Sequence, residues 1–181
     1  MRLVKNAQGN AQVIEDRYVR VDDDAPVPDH APVIVPAARF LADHAELAAR
    51  TAPTGVLWPN NRDVAQLTPH LDRLALIALV FPAFKDGRAY SQARLLRERH
   101  GYRGELRATG DVLRDQFLFL LRAGFDAFEV KKEADAEAFA AAIARYSVFY
   151  QPTGAGRRPA GHERLARVAA ARRIAPQEAA R

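Results

Sequence analysis

Charged side chains that could bind an anion or move a proton are concentrated in the middle of the chain. Asp86 and Arg88 lie two residues apart, as do Glu105 and Arg107, and Asp111 follows soon after. A guanidinium offers a planar set of donors that suits carboxylate, phosphate or sulfur oxyanions. A carboxylate can act as a general acid or base. The spacing therefore supplies groups for anion binding and for proton transfer.

The elements that must position these groups form a repeating pattern. About five consecutive β-α units follow Pro32, and the run LALIALVF is apolar at every position, as in a parallel strand covered on both faces. We predict an α/β fold with a mainly parallel sheet, either an open three-layer sheet or a partly barrel-like one. The expected domains are a β-hairpin over 1–24, an α/β core over 25–152 and a basic tail over 153–181, flexible or forming a detached helix.

In such a fold, the loops that follow the strands share one edge of the sheet, where α/β proteins commonly bind ligands. We therefore expect a site at that edge. The candidate acid/base groups are Asp86, Glu105 and Asp111, and the candidate ligand-binding residues are Arg88, Arg107, Asn60, Tyr90 and Ser91.

A structural interpretation of the same residues remains open. Asp86 and Asp111 could cap helices, and the arginines could be solvated or paired with nearby acids. Glu105 and Arg107 point to the same face of their strand. They could form a buried ion pair, lie at a sheet edge, or face a polar cavity inside a partly closed barrel.

Composition excludes several classes of function. The 181 residues carry a net charge of +5, but seven of the 27 basic and two of the 22 acidic residues lie from Arg157 onward, which leaves 20 of each before it. This balance argues against a nucleic-acid-binding body. The chain contains no cysteine, so it has no thiolate ligands for a metal cluster.

The motifs of common cofactors and targeting segments are also missing from the sequence. There is no GxGxxG after a strand and no P-loop, and the five histidines lack metal-ligand spacing. The sequence predicts no metal site, and it leaves the cofactor unknown. The first ten residues have no apolar signal core and no apolar run is long enough for a membrane span, which predicts a soluble cytoplasmic protein without a membrane partner. The exposed edges of an open sheet would allow a homodimer.

Three segments resemble a known bacterial family. They read FPAFKDGRAYSQARLLRERHGYRGELRATGDVLRDQFLFLLRAGFDAFEV, TGVLWPNNRDVAQL and LDRLALIALVFP, and they are similar to the family catalogued as domain of unknown function 934. The resemblance extends over roughly residues 1 to 152 and leaves the basic tail outside. It brings no established catalytic residues to transfer.

The resemblance implies a place in sulfur metabolism, because members are typically encoded beside the haemoprotein of assimilatory sulfite or nitrite reductase and are often labelled as oxidoreductases. Because the arginine-rich edge has no redox-capable residue and no catalytic unit, we favour an accessory protein that binds the reductase, its sirohaem or a sulfur oxyanion at the edge holding Arg88 and Arg107. The alternative is an enzyme that acts on a small anionic substrate at the same edge. Redox activity would then require a bound flavin, nicotinamide or partner metal centre.

Overall fold

The computed structural model describes residues 2–7, 10–130, 135, 137–139, 141–142, 161 and 164–165. The strands are β1 (Arg2–Ala7), β2 (Asn10–Glu15), β3 (Val19–Arg20), β4 (Val33–Pro36), β5 (Thr54–Trp58), β6 (Leu74–Phe81), β7 (Glu105–Gly110) and β8 (Ala127–Val130). The helices are α1 (Ala37–Ala42), α2 (His44–Ala49), α3 (Arg88–Arg94) and α4 (Phe117–Ala123). Two 3₁₀ helices span Val64–Arg73 and Arg114–Gln116, and a π-helical turn, Leu95–Arg99, continues α3.

The eight strands form one sheet in the order β2-β1-β8-β7-β6-β5-β4-β3. Strands β3 to β8 pair in parallel with their neighbours, and β1 is antiparallel to both β8 and β2. The predicted α/β class with a mostly parallel sheet is confirmed. The two N-terminal strands extend this sheet beyond β8.

The sheet is strongly curled into a half-barrel. Its edge strands β2 and β3 are consecutive in the chain and are separated only by Asp16–Tyr18. In a flat sheet seven strand spacings would separate them by about 34 Å, whereas the four residue steps from Glu15 to Val19 can span at most about 14 Å. The short connection therefore requires the sheet to curl until its edges approach each other.

The outer, convex face of the sheet carries the main hydrophobic core. Val56, Ile77 and Leu106 on the strands are completely buried, as are Leu67 and Leu120 on the covering helices. Each such side chain contributes roughly 1.5–3 kcal/mol when it is buried. The helices thus cover one face, and the curl encloses the other.

Local structure differs from the sequence prediction at two helices. The sequence AARFLADHAELAAR predicts a single helix over residues 37–50, because its apolar residues fall at helical spacing. The helix is interrupted at Asp43, whose φ of −104° and ψ of 19° separate α1 from α2. The next helix is 3₁₀, and its cap is Asp63, whose Oδ1 accepts a hydrogen bond from Ala65 N at 2.9 Å. From the sequence alone, Asn60 or Asn61 is the expected cap of this helix, but both lie before Asp63.

No helix within the described residues is both long enough and apolar enough to span a bilayer. Most of the predicted basic tail lies outside the described residues, and helical positions are described in it only at 161 and 164–165.

Gly110 is required where β7 passes β6. Its φ is +95°, and a Cβ at this position would lie 2.3 Å from the carbonyl oxygen of Phe81. We expect Gly110→Ala to lower the free energy of unfolding in urea, because a positive φ costs an L-residue about 1–2 kcal/mol and the backbone contact adds to that cost. Gly101→Ala is the matched control, since Gly101 also has a positive φ but has open space around it. Equal losses in the two variants would show that the contact with Phe81 is unimportant.

Candidate functional site

Arg107 lies at the centre of the inner, concave face and is only 1% exposed. It donates from Nε and Nη2 to Glu105 Oε1 at 3.0 and 2.9 Å, and from Nη1 to Asp16 Oδ2 at 2.6 Å. Glu105 also accepts from Lys5 Nζ at 2.8 Å. Although burial alone would lower it, the pKa of Arg107 is raised above its ordinary value by the Asp16 and Glu105 carboxylates. Of the three arrangements considered for Glu105 and Arg107, the structure shows the buried ion pair.

A second part of the inner face joins strands that are remote in the sheet order. Arg20 Nη2 on β3 donates to Glu129 Oε1 on β8 at 2.5 Å and to Thr109 Oγ1 on β7 at 3.1 Å. Thr109 in turn donates to the other oxygen of Glu129. Tyr18 contacts Arg107 with the guanidinium carbon 5.4 Å from the ring centroid, and burial raises the pKa of this phenol. We call all these residues the inner-face network.

The charges of the inner-face network balance. Three cations meet three carboxylates, namely Lys5, Arg20 and Arg107 with Asp16, Glu105 and Glu129. A buried charge is tolerated when it is paired and hydrogen-bonded. Because Arg107 already has such partners within the chain, an external anion would have to displace Asp16 or Glu105 to reach it.

Asp86 and Arg88 occupy a different place, with Asp86 in the loop between β6 and α3 and Arg88 at the first residue of α3. Arg88 donates to Asp86 through Nε at 2.9 Å and through Nη2 at 2.6 Å, and its side chain is 59% exposed. Arg88, followed by the nearby Asn60 amide, holds the pKa of Asp86 well below its ordinary value. Asn60 itself is buried, and its Nδ2 makes no hydrogen bond of good geometry within the described part of the chain. The structure thus brings Asn60, Asp86 and Arg88 together at the C-terminal edge of the sheet.

The loop after β6 is fixed by residues that follow β7. Asp111 Oδ2 accepts from the backbone N of Phe84 at 3.0 Å, and Gln116 Nε2 donates to the carbonyl oxygen of Phe84 at 2.9 Å. Gln116 Oε1 also accepts from the N of Leu113, so Gln116 holds both loops. Asp111 is therefore a brace for the neighbouring loop, and it does not cap the helix that begins at Arg114.

These braced loops present apolar and basic side chains to solvent. Phe84 is 55% exposed and Leu113 is 40% exposed, and Lys85 and Arg114 beside them are exposed as well. We call the surface formed by Phe84, Lys85, Arg88, Leu113 and Arg114 the edge platform.

The remaining predicted residues are separate from the inner-face network. Tyr90 packs against Phe81 with ring centroids 5.2 Å apart, and burial raises its pKa. Ser91 is exposed on α3. The sequence also predicts Lys131 and Lys132 at this sheet edge, because they follow the last strand, but they lie outside the described residues.

A further arginine from the resembling segment has a structural role. Arg97 donates from Nε to Gly124 O at 2.9 Å and from Nη1 to Tyr102 O and Gly104 O at 2.7 and 2.9 Å, and Nη2 pairs with Asp126. Burial raises the pKa of Asp126, and the Arg97 charge opposes that shift. Arg97 thereby links the π-helical turn after α3 to the segments that precede β7 and β8.

The sequence analysis did not identify Asp16, Tyr18, Arg20 or Glu129 as members of a cluster. Asp16, Tyr18 and Arg20 alternate with outward residues in EDRYVR, a period-two pattern that indicates one face of an extended segment. Glu129 is a single acid in the otherwise apolar strand AFEV. Both patterns are visible in the sequence. The pairing of Asp16 with Arg107 and of Arg20 with Glu129 becomes evident only when the sheet is known to curl.

No group of three or more histidine or acidic side chains in the described part of the chain is arranged to hold a metal ion.

Comparison with known protein families identifies one match. The model of the family described as "Bacterial protein of unknown function (DUF934)" matches residues 55–161, which is more than half of the chain. The protein belongs to this family. The match begins at β5 and includes the Phe84 and Leu113 loops, whereas the segment containing Asp16 and Arg20 precedes it. No curated protein matches the sequence.

Removing Arg107 should destabilise the fold. Arg107→Ala leaves the buried carboxylates of Asp16 and Glu105 without their common partner, and breaking a buried pair in this way costs about 3–5 kcal/mol. Arg88→Ala is the matched control, because its ion pair is exposed to solvent and its loss should leave stability nearly unchanged. Urea denaturation of both variants measures the difference. An Arg107→Ala protein as stable as the wild type would contradict a structural role for the inner-face network.

Proposed function

We propose that this protein is a non-catalytic accessory protein of assimilatory sulfite reduction, and that it docks on the haemoprotein of sulfite or nitrite reductase through the edge platform. The observation that carries this proposal is the exposed ring of Phe84. The backbone N of Phe84 donates to Asp111, and its carbonyl oxygen accepts from Gln116, so the loop is ordered before it binds. A large aromatic side chain on a pre-ordered loop has the properties of an interface anchor, because little conformational freedom is lost when it binds.

The charges around Phe84 support docking on an acidic partner surface. Lys85 and Arg114 are exposed, and the Arg88 guanidinium is 59% exposed although it is paired with Asp86. Basic groups at the rim of an interface chiefly increase the rate of association and its dependence on salt. An apolar centre with a basic rim therefore fits an apolar depression surrounded by acidic side chains.

An anion-binding site at Arg107 is less favourable than the edge platform, because Arg107 belongs to the inner-face network. Its three cations are neutralised by three carboxylates of the same chain, and Arg107 is 1% exposed. An anion at the platform would meet Arg88, whose pairing with Asp86 competes with it. A protein partner can contact Phe84 and the basic side chains of the platform together. It need not break the Arg88–Asp86 ion pair or the ion pairs of Arg107.

The test is a titration of the reductase haemoprotein with the purified protein and with its Phe84→Ala variant. We expect wild-type binding and at least a tenfold weaker affinity for the variant, since truncation of an aromatic anchor commonly costs 2 kcal/mol or more. The control is Val13→Ala, which removes an apolar side chain that is 51% exposed on β2, away from the platform. The control should bind like the wild type.

Separate titrations with sulfite, sulfate and sirohaem distinguish docking from ligand binding. Saturable heat with one of these ligands, and none with the reductase, would replace the docking proposal with a small-ligand function. Equal affinity of the wild type and Phe84→Ala for the reductase would exclude the platform as the docking surface.

A further inference from the structure

A mainly apolar groove of about 420 Å³ lies beside α4. Leu118 and Phe119 line it from α4, and the helical positions Ala138, Ala141 and Ala142 line it from a second segment. A cleft of this volume lies in the range of small-molecule sites, so it has room for an aromatic side chain. We call the groove formed by these five residues, with Arg114 and Asp115 at its charged end, the α4 groove.

Aromatic packing holds the two sides of the α4 groove together. Phe139 is completely buried, and its ring centroid lies 4.7 Å from that of Phe117 on α4 and 4.3 Å from that of Phe128 on β8. The segment that carries the alanines is thereby fixed against α4. A surface that is ordered before binding loses little conformational freedom when a partner occupies it.

Phe119 is the side chain that gives the groove its most direct need for a partner. It is 60% exposed, which makes it the most exposed phenylalanine of the described chain. The ring and the groove belong to the same patch, so the patch can be complementary to a second copy of itself. A contact of this kind, in which the same surface of both subunits is used, is the basis of two-fold symmetric dimers.

The charges at the end of the groove favour the same occupant. Arg114 and Asp115 are both exposed, and neither forms an ion pair within the described part of the chain. An acidic partner surface would attract Arg114 and repel Asp115, and a basic surface would do the reverse. A second copy placed by a two-fold rotation satisfies both charges, because Arg114 of each protomer can face Asp115 of the other.

We propose that the α4 groove is the interface of a homodimer of this protein. Phe119 of each protomer enters the groove of the other, and two reciprocal Arg114–Asp115 ion pairs flank the rings. A contact centred on one groove is small, so the dimer exchanges with the monomer at micromolar protein concentrations. Arg114 also belongs to the edge platform, and a docked reductase would therefore compete with the dimer for it. The dimer can be tested with this protein alone, so the result does not depend on the docking function.

Sedimentation equilibrium of the full chain over a range of concentrations measures the association. We expect the average mass to rise from monomer toward dimer. Phe119→Ala should weaken the association at least about tenfold, since truncation of a central aromatic side chain has a large effect on an interface. The control is Val13→Ala, which removes an exposed apolar side chain from β2, outside the groove, and should associate like the wild type.

An exchange of charges tests the two-fold geometry. Arg114→Glu and Asp115→Arg each place like charges opposite one another, so each variant alone should be monomeric. An equimolar mixture of the two should dimerise, because every charge then faces an opposite one. Arg103→Glu is the matched control, since Arg103 is exposed before β7, outside the groove, and its change should leave the association unaltered.

Three results would each overturn the proposal. The first is a wild-type protein that stays monomeric at every concentration, which would leave the groove to another occupant such as the basic tail or the reductase. The second is a Phe119→Ala variant that associates as strongly as the wild type. The third is a mixture of Arg114→Glu and Asp115→Arg that remains monomeric.

Discussion

The structure depends on a constraint of chain length. Only Asp16–Tyr18 connect the two edge strands of an eight-stranded sheet, and such a connection cannot cross a flat sheet of that width. The sheet must curl, and the curl brings side chains of β3 onto β7 and β8. Arg20 then meets Glu129, although a flat sheet would hold their strands about 24 Å apart. The enclosed face can therefore contain charged groups, because the curl adds partners such as Arg20 and Asp16 to those on the same and nearby strands.

This arrangement separates the charged residues of the central segment into two sets. Glu105 and Arg107 face inward and belong to the balanced inner-face network, which stabilises the curl. Asp86, Arg88 and Asp111 lie at the C-terminal edge, where they shape the loops that present Phe84. An exposed aromatic side chain on a loop that is held by hydrogen bonds is suited to protein recognition. The proposed accessory role rests on this division between paired charges on the inner face and exposed groups at the edge.

The sequence was sufficient for the class of the fold and for part of the site. Apolar strands alternating with helical patterns predicted a mostly parallel α/β sheet, and the spacing of Glu105 and Arg107 predicted their common face. The partner Asp16 could not be predicted, because it lies 91 residues from Arg107 and meets it only through the curl. Glu129 lies on the neighbouring strand β8, and its meeting with Arg20 on β3 also depends on the curl. Gly-Asp before an apolar run is typical of a helix cap, which is one of the two interpretations that the sequence leaves for Asp111. The backbone of Phe84 competes for that carboxylate and determines its role.

The central claim is that side chains from opposite parts of the sheet order meet inside the half-barrel and stabilise it together. A double-mutant cycle on Arg20→Gln and Glu129→Gln, measured by urea denaturation, tests it directly. We predict a coupling free energy of about 0.5–3 kcal/mol, the range for residues in contact. Losses that add to within about 0.5 kcal/mol, as expected for distant and independent sites, would show that β3 and β8 do not meet, and would contradict the account.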